Sequence, residues 1–303
     1  MKKISLALGG GGTKGFAHIG VIQQLLKEGY TPGAIAGTSA GGIVGALYAV
    51  GYSPDEIQRF SETLDYTKLF TRNADSAPSL LGLGGLYKLL VKYLGDKSFG
   101  DTSIPFAVVA VDNNSGKEFI INNGKLIDAV KATTAVPGIF PPYMIGNHKF
   151  VDGAILNPVP VNVVRWLNDN FPVVAVSLSA PPEKWNKLPK YTIPEYMPIP
   201  QFIVQQFTHM RLGQAVETFT DSLELMTNMI AWLRLQQDKP DIVVNPEVYH
   251  HTMIDNVDVN EMVQLGREAV NKSLDRFEGL FSVGRRAGRW IRASKTPAEI
   301  LQV

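Results

Sequence analysis

The stretch that decides the fold is ISLALGGGGTKG at residues 4–15, followed by AIAGTSAGG at residues 34–42. The first segment is a short apolar run that ends in four glycines, and the second is an apolar run that ends in a glycine-flanked serine. Between them, apolar residues from Phe16 to Leu26 recur at three- and four-residue spacing, which predicts a helix. The order strand, loop, helix, strand, turn, helix predicts an α/β fold with a central, mainly parallel sheet flanked by helices.

The rest of the chain continues the alternation of strands and helices. Ser53 and Glu56 are spaced as a capping box at the start of a further helix. Short apolar runs predict strands at 106–111, 118–121, 173–178 and 241–244. Longer periodic segments predict helices at 87–94, 126–135, 159–167, 202–235 and 260–277. No internal repeat or linker divides the chain, so we expect a single α/β domain over residues 1–303.

Composition excludes several classes of function. The net charge of +1 argues against a nucleic-acid partner, which would need a broad basic surface. The absence of cysteine excludes disulfides, thiolate metal sites and a cysteine nucleophile. The spacing of histidines and carboxylates matches no metal motif, so we expect no metal and no cofactor. No apolar run reaches the roughly 18 residues of a membrane-spanning helix, and the cytoplasm is the expected location.

The glycine loop, Gly10 to Gly15, has three interpretations. It fits the dinucleotide fingerprint G-x-G-x-x-G, but the acidic residue that should follow about 20 positions later is missing. It could be only a tight turn between strand and helix. The third interpretation is an oxyanion hole, in which the backbone amides of Gly10, Gly11 and Gly12 stabilise a negatively charged carbonyl oxygen. Successive glycines favour this interpretation, since they let the backbone approach an ester closely.

Ser39 is the candidate nucleophile. It lies in Gly37-Thr38-Ser39-Ala40-Gly41, a G-x-S-x-G sequence between a short strand and a small-residue helix. That setting is typical of a nucleophile elbow, and the Ala40 amide could join the oxyanion hole. The alternative is that Ser39 simply caps the helix.

A serine nucleophile needs a base, and two kinds are available. A histidine could serve, and the chain has five: His18, His148, His209, His250 and His251. None follows a convincing strand in a glycine-rich loop. The other candidate is Asp152, in Asp152-Gly153-Ala154, because burial can raise the pKa of a carboxyl toward neutrality. An Asp-Gly pair is equally typical of an ordinary turn.

Two segments could contact lipid. Leu80–Leu94 is rich in leucine, which predicts either a core-facing helix or a wall for an acyl chain. The tail, 282–303, mixes arginines with apolar residues and could touch an anionic membrane, although a solvated chain end has the same composition.

Taken together, the motifs resemble one family. The glycine loop, the Ser39 elbow and Asp152-Gly153-Ala154 occur in the order seen in patatin-like phospholipases, and further segments that fit are FAVVAVD at 106–112, AVPGIFPP at 135–142 and NPVP at 157–160. The resemblance covers about residues 4–180, and residues 181–303 would be a helical elaboration. It implies a three-layer α/β sandwich and a catalytic dyad without histidine, with Ser39 as nucleophile and Asp152 as base.

The resemblance implies a carboxylic ester hydrolase that acts on phospholipids, lysophospholipids or related lipids. The oxyanion hole would comprise Gly10, Gly11, Gly12 and Ala40. The expected partners are a lipid or fatty-acyl ester substrate and the surface of a membrane, with no nucleic acid. The alternatives are a Ser-His-Asp esterase, a nucleotide-dependent enzyme and a non-catalytic lipid-binding or regulatory protein. The oligomeric state does not follow from the sequence.

Overall fold

The computed structural model describes residues 1–69, 82–189, 211–281 and 299–301, with the backbone alone for 211–217. Its strands are β1 Lys2–Leu8, β2 Tyr30–Thr38, β3 Phe106–Asp112, β4 Lys117–Ile121, β5 Tyr143–Ile145, β6 His148–Asp152, β7 Val173–Val176, β8 Ile242–Val244 and β9 Glu299–Ile300. Its helices are α1 Ala17–Lys27, α2 Ala40–Ala49, α3 Pro54–Glu62, α4 Tyr66–Leu69, α5 Gly84–Leu94, α6 Leu126–Thr133, α7 Val161–Leu167, α8 Arg211–Asp238, α9 Val259–Asn271 and α10 Leu274–Phe277.

The strands form one mixed sheet. Its main order is β5-β6-β3-β2-β1-β7-β8, while β4 pairs with β3 and β9 pairs with β4. The central pairs β3-β2, β2-β1, β1-β7 and β7-β8 are parallel, and β6 and β4 run antiparallel to β3. The predicted central, mainly parallel sheet flanked by helices is therefore confirmed.

Alternate side chains of β1 pack against helices on opposite faces of the sheet. Leu6 and Leu8 are fully buried in one cluster with apolar residues of α1 and α2. Ala7, on the opposite face, is buried with Val161 and Val164 of α7. A strand that is buried by helices on both faces is typically apolar along its length, as residues 4–8 of β1 mostly are. The result is the expected three-layer sandwich.

The C-terminal part packs against the first helix of the chain. A Cβ on Gly20 of α1 would lie 1.8 Å from the carbonyl oxygen of Val263 in α9, and a Cβ on Gly266 of α9 would lie 2.0 Å from that of Ala17. Glycine at both positions therefore allows the two helices to approach closely. The expectation of one domain over 1–303 stays a prediction.

Most predicted elements occur with small changes of boundary. The capping box of Ser53 and Glu56 is confirmed at the start of α3. The first predicted helix begins with a 3-10 turn, Gly12–Phe16, before α1. The β5-β6 hairpin was not predicted, because its strands are short and partly polar.

Within the described residues, no helix is long and apolar enough to cross a bilayer. Of the predicted helix at 202–235, residues 202–210 lie outside the described residues, as does most of the tail.

Candidate active site

Ser39 occupies a strained turn between β2 and α2. Its φ is 53°, a left-handed conformation that a residue with a Cβ adopts only when its surroundings impose it. Gly37 and Gly41 flank Ser39, and backbone atoms of other residues approach both too closely to leave room for a Cβ. A Cβ on Gly37 would lie 2.5 Å from the carbonyl oxygen of Gly41, and a Cβ on Gly41 would lie 2.2 Å from that of Leu8. The G-x-S-x-G sequence is therefore a steric requirement of this turn.

Thr133, which the sequence analysis did not select, holds the turn in place. The Ser39 amide donates a hydrogen bond of 2.9 Å to the Thr133 hydroxyl, which donates one of 2.5 Å to the carbonyl of Val109. Thr133 is fully buried at the end of α6. The strained Ser39 turn is thus fastened to the neighbouring strand β3.

The sheet brings Ser39 and Asp152 together although 113 positions separate them in the chain. Along one edge of β3, the last residue of β2, Thr38, pairs with Val109. On the same edge the last residue of β6, Asp152, pairs with the next residue, Ala110. Because β6 runs antiparallel to β3 and β2 runs parallel to it, the two strands end against each other. The residue after Thr38 therefore lies beside the Asp152 carboxyl.

The Asp152 carboxyl is buried, and its two oxygens differ in their hydrogen bonding. Its Oδ1 accepts a hydrogen bond of 2.8 Å from the Ala154 amide. Its Oδ2 is buried and has no hydrogen-bond partner among the described residues. Burial raises the pKa of Asp152 to about 7, against the smaller lowering effects of the Ser39 hydroxyl and the Ala154 amide. A carboxyl with this pKa exchanges protons near neutral pH, as a general base must.

The glycine loop lies against Ser39. A Cβ on Gly10 would approach the Ser39 Cβ to 3.3 Å. The Gly10 amide itself donates to the carbonyl of Pro158 at 3.0 Å, so the expectation that it supplies an oxyanion donor does not fit this structure. The amides of Gly11 and Gly12 make no hydrogen bond within the described part of the chain. These two are the loop amides that a negatively charged oxygen could use.

Two contacts support the glycine loop from outside it. Gly12 has a φ of 61°, and a Cβ on it would lie 1.9 Å from the carbonyl oxygen of Met253, which accepts a 2.9 Å hydrogen bond from the Thr13 amide. Lys14 is buried and forms a 2.9 Å ion pair with Glu224 of α8. Both partners come from the C-terminal part, and sequence spacing alone could not have linked them to the loop.

His18, the histidine closest in the chain to the glycine loop, is engaged elsewhere. His18 is fully buried, and its Nε2 lies 2.7 Å from the carbonyl oxygen of Gly9. Burial lowers the pKa of His18 to about 4 despite this hydrogen bond, so the ring is neutral near pH 7. Among the described residues no histidine hydrogen-bonds to Ser39 or Asp152, and His209 lies outside them.

A largely apolar cavity of about 180 Å³ opens from Ser39 and Asp152. One wall is α2, from Ala40 to Leu47, and the opposite walls come from α3 and α5. The leucine-rich segment predicted at 80–94 contributes five apolar side chains: Leu83, Leu86, Leu89, Leu90 and Tyr93. Of the two interpretations of that segment, the described residues therefore support a role in lining this cavity, while Leu83, Leu90 and Leu94 are also buried core residues.

The part of the chain that holds Ser39, Asp152 and the glycine loop is similar to known proteins. A family model described as patatin-like phospholipase matches residues 6–165. An uncharacterized NTE family protein of Mycobacterium tuberculosis is 34% identical over 180 residues, which is 58% of this chain and 49% of that protein. A patatin-like phospholipase domain-containing protein of Caenorhabditis elegans is 29% identical over 171 residues, covering 54% of this chain and 12% of that protein. This chain thus spans about half the length of the mycobacterial relative.

The fold also resembles a solved structure. The crystal structure of VipD from Legionella pneumophila superimposes with a TM-score of 0.53 at 14% identity, covering 90% of this chain and 66% of that one. At this identity the match concerns the fold alone.

Proposed function

Because the chain belongs to the patatin-like phospholipase family, we propose that it is a serine acyl hydrolase that cleaves fatty-acyl esters through a Ser39–Asp152 dyad. The observation that carries the proposal is the buried Oδ2 of Asp152, which has no hydrogen-bond partner among the described residues and lies beside the strained Ser39. The Gly11 and Gly12 amides next to it are unpaired in the same described part of the chain. A base, a nucleophile and oxyanion donors are the three groups that acyl transfer needs.

In the proposed mechanism, the Ser39 hydroxyl attacks the ester carbonyl and its proton passes to Asp152. The amides of Gly11, Gly12 and Ala40 stabilise the negative charge on the carbonyl oxygen. The intermediate collapses, the alcohol leaves with the proton from Asp152, and the acyl group stays on Ser39. Asp152 then takes a proton from water, which attacks the acyl group and releases the fatty acid. Ser39 regains its proton, so the dyad ends as it began.

The shape of the cavity supports a fatty-acyl substrate. Ala40, Ile43, Val44 and Leu47 of α2 all line it. At a rise of about 1.5 Å per residue, Leu47 lies about 12 Å along the helix from Ser39. An apolar wall of this length can line the part of an extended acyl chain next to an ester at Ser39. We therefore propose that the substrates are phospholipids, lysophospholipids or related lipids. The protein would then be a carboxylic esterase of the phospholipase A or lysophospholipase type.

The decisive experiment combines activity with covalent labelling. We expect Ser39→Ala and Asp152→Asn to lose hydrolysis of medium-chain p-nitrophenyl esters and of phosphatidylcholine in mixed micelles. A fluorophosphonate probe should modify the wild type at Ser39 alone. Ser273→Ala is the matched control, because that buried hydroxyl bonds to the Ala269 carbonyl away from the cavity. Labelling at another residue, or wild-type rates in either dyad variant, would refute the dyad.

Histidine replacements, used together with Ser39→Ala, distinguish the alternatives. A Ser-His-Asp esterase would keep labelling at Ser39 but would lose activity when a histidine is replaced. A non-catalytic lipid-binding protein would bind fatty acid without turnover, and Ser39→Ala would not change its affinity.

We also propose that α8 contacts the surface of a membrane. Leu225, Met226, Met229, Trp232 and Leu233 are exposed and recur at helical spacing on one side of α8; together they form the α8 apolar face. A contiguous apolar surface of this kind marks a binding site more often than scattered exposed residues do. The other side of the same helix, with Leu223 and Thr227, lines the cavity. A bilayer on the apolar face would therefore lie near the route of a lipid to Ser39.

Vesicle flotation tests the membrane contact. Met226→Glu on the α8 apolar face should reduce binding to phosphatidylcholine–phosphatidylglycerol vesicles. Met144→Glu is the matched control, because Met144 is 56% exposed on β5 and Met226 is 52% exposed. Equal loss in both variants, or in neither, would refute a contact through α8.

A further inference from the structure

His250, His251 and Glu261 form a cluster that the proposed reaction does not use. One ring nitrogen of each histidine and one carboxylate oxygen of Glu261 lie within 4.8 Å of one another. The two imidazoles, adjacent in the chain, are on the same side of the loop, with ring centroids 4.4 Å apart. Glu261 belongs to the first turn of α9. Two imidazoles and one carboxylate are a ligand set that Zn²⁺ takes in proteins.

His251 carries an independent sign of a missing ligand. Its Nε2 is buried and has no hydrogen-bond partner among the described residues. A buried polar atom without a partner is destabilising, and such an atom calls for an explanation. A bound metal ion would satisfy this nitrogen.

The other nitrogen of His251 faces a carboxylate. Its Nδ1 lies 3.9 Å from Oδ2 of Asp255. Asp255 is itself fixed, because it accepts hydrogen bonds from the amide and hydroxyl of Thr252. Metal-binding histidines commonly donate their second N–H to a carboxylate, which sets the orientation of the ring. Asp255 is positioned for that role and leaves Nε2 as the nitrogen for the metal.

The spacing of the cluster is close to what a Zn²⁺ site requires. Ligand atoms around a tetrahedral Zn²⁺ are about 3.3 Å apart, since the bonds are about 2.0–2.2 Å long. The side chains of His250 and Glu261 are exposed, which leaves them room to rotate toward a shared ion. We propose that His250, His251 and Glu261 bind one Zn²⁺ ion, with a fourth position left for water.

Such an ion would connect the loop 250–255 to α9. Met253 in this loop accepts the hydrogen bond from Thr13 that supports the glycine loop. Zn²⁺ would therefore restrain a segment that holds the proposed oxyanion donors, while remaining outside the cavity. The ion would act on this loop and not on the ester, because its three protein ligands do not line the cavity.

Metal binding can be measured without any assay of activity. Titration of the full chain with Zn²⁺ against a chromophoric chelator should give one ion per chain. His250→Ala and Glu261→Gln, which change exposed side chains, should weaken binding about tenfold or more, and His251→Ala should weaken it further. His148→Ala is the matched control, because that imidazole also lies near a carboxylate, 3.3 Å from Asp112, but outside the cluster.

Replacing Zn²⁺ by Co²⁺ provides a second readout. Co²⁺ in the wild type should show the intense visible absorption of a tetrahedral site, and Glu261→Gln should change that spectrum. The proposal is overturned if the wild type binds less than half an equivalent of Zn²⁺, or if His148→Ala weakens binding as much as His250→Ala does.

Discussion

Replacing Asp152 by asparagine should abolish activity and yet stabilise the folded protein at alkaline pH. Burial raises the pKa of Asp152 from 3.8 to about 7. Between these values the folded state keeps a proton on the carboxyl and the unfolded state does not. The unfolded state binds fewer protons in this range, so the free energy of unfolding falls as pH rises from about 4 to about 7 and is level above that.

The size of the effect follows from the shift. Each pKa unit corresponds to about 1.4 kcal/mol, so raising the pKa of Asp152 from 3.8 to about 7 destabilises the folded protein with an ionised Asp152 by about 4 kcal/mol. Asparagine keeps the Oδ1 that accepts from Ala154 and carries no charge to bury. We therefore expect Asp152→Asn to be more stable than the wild type by up to about 4 kcal/mol at about pH 9, and to match it near pH 4.

The assay is urea unfolding of both proteins at several pH values. Asp112→Asn is an informative control with the opposite sign. Burial raises the pKa of Asp112, but hydrogen bonds from Ser115, Asn114, His148 and Lys149 outweigh it and lower the pKa to about 2. Stability from Asp112 is present above pH 4 and is lost as pH falls through about 2, so Asp112→Asn should destabilise the protein by about 2 kcal/mol at neutral pH.

Activity should change in the opposite direction from stability. The base must be ionised, so kcat/KM of the wild type should rise with pH through about 7. The reasoning is refuted if Asp152→Asn loses stability by the same amount at every pH, because burial would then impose no penalty on the ionised carboxyl.

Three further variants test the structure around the dyad. Thr133→Val should lower kcat by about 10²-fold, because the strained Ser39 turn loses its anchor, and should destabilise the protein by about 1–3 kcal/mol in urea unfolding. Lys14→Met leaves the buried Glu224 carboxylate without this ion pair and should destabilise the protein by about 3 kcal/mol by the same measurement. Gly153→Ala places a Cβ 2.4 Å from a backbone oxygen of β3, which should displace Asp152 and lower ester hydrolysis at least about tenfold.

Each of these variants has a control in the chain. Thr133→Ser keeps the hydroxyl and should restore most of the activity. Adding Glu224→Leu to Lys14→Met should recover part of the lost stability, since an apolar pair can replace a buried ion pair. Among the described residues, a Cβ on Gly100 would meet only the Ser98 hydroxyl, at 3.5 Å, so Gly100→Ala should leave activity unchanged. If Gly100→Ala and Gly153→Ala behave alike, the close contact at residue 153 is not the cause.

The fold and the turn at Ser39 could be predicted because their sequence signals are local. Apolar runs closed by glycines define β1 and β2, and the Ser39 turn requires glycines at fixed positions. Asp152 carried only a weak signal by itself, and the order of the family motifs selected it. Its environment was not predictable, because the burial that raises its pKa comes from the packing of the whole sheet.

Contacts between residues far apart in the chain could not be predicted from the sequence pattern. Thr133 appears as an ordinary helical residue, although its hydroxyl fastens the Ser39 turn. The Gly10 amide looked equivalent to those of Gly11 and Gly12, and only the position of the Pro158 carbonyl distinguishes it. His250 and His251 looked like members of a polar loop, since no sequence motif joins them to a glutamate on the next helix.

These contacts also bear on how far the matched family region can act alone. Residues 6–165 contain Ser39, Asp152 and the glycine loop, and thus all the groups that the proposed reaction uses. The loop, however, is held by Met253 and Glu224, which lie beyond that region, and the same C-terminal part supplies the wall of the cavity at α8. Unpaired amides stabilise a developing charge only when they are fixed in advance. The groups of the proposed reaction therefore lie in the N-terminal motifs, while their rigidity depends on residues that the motifs do not include.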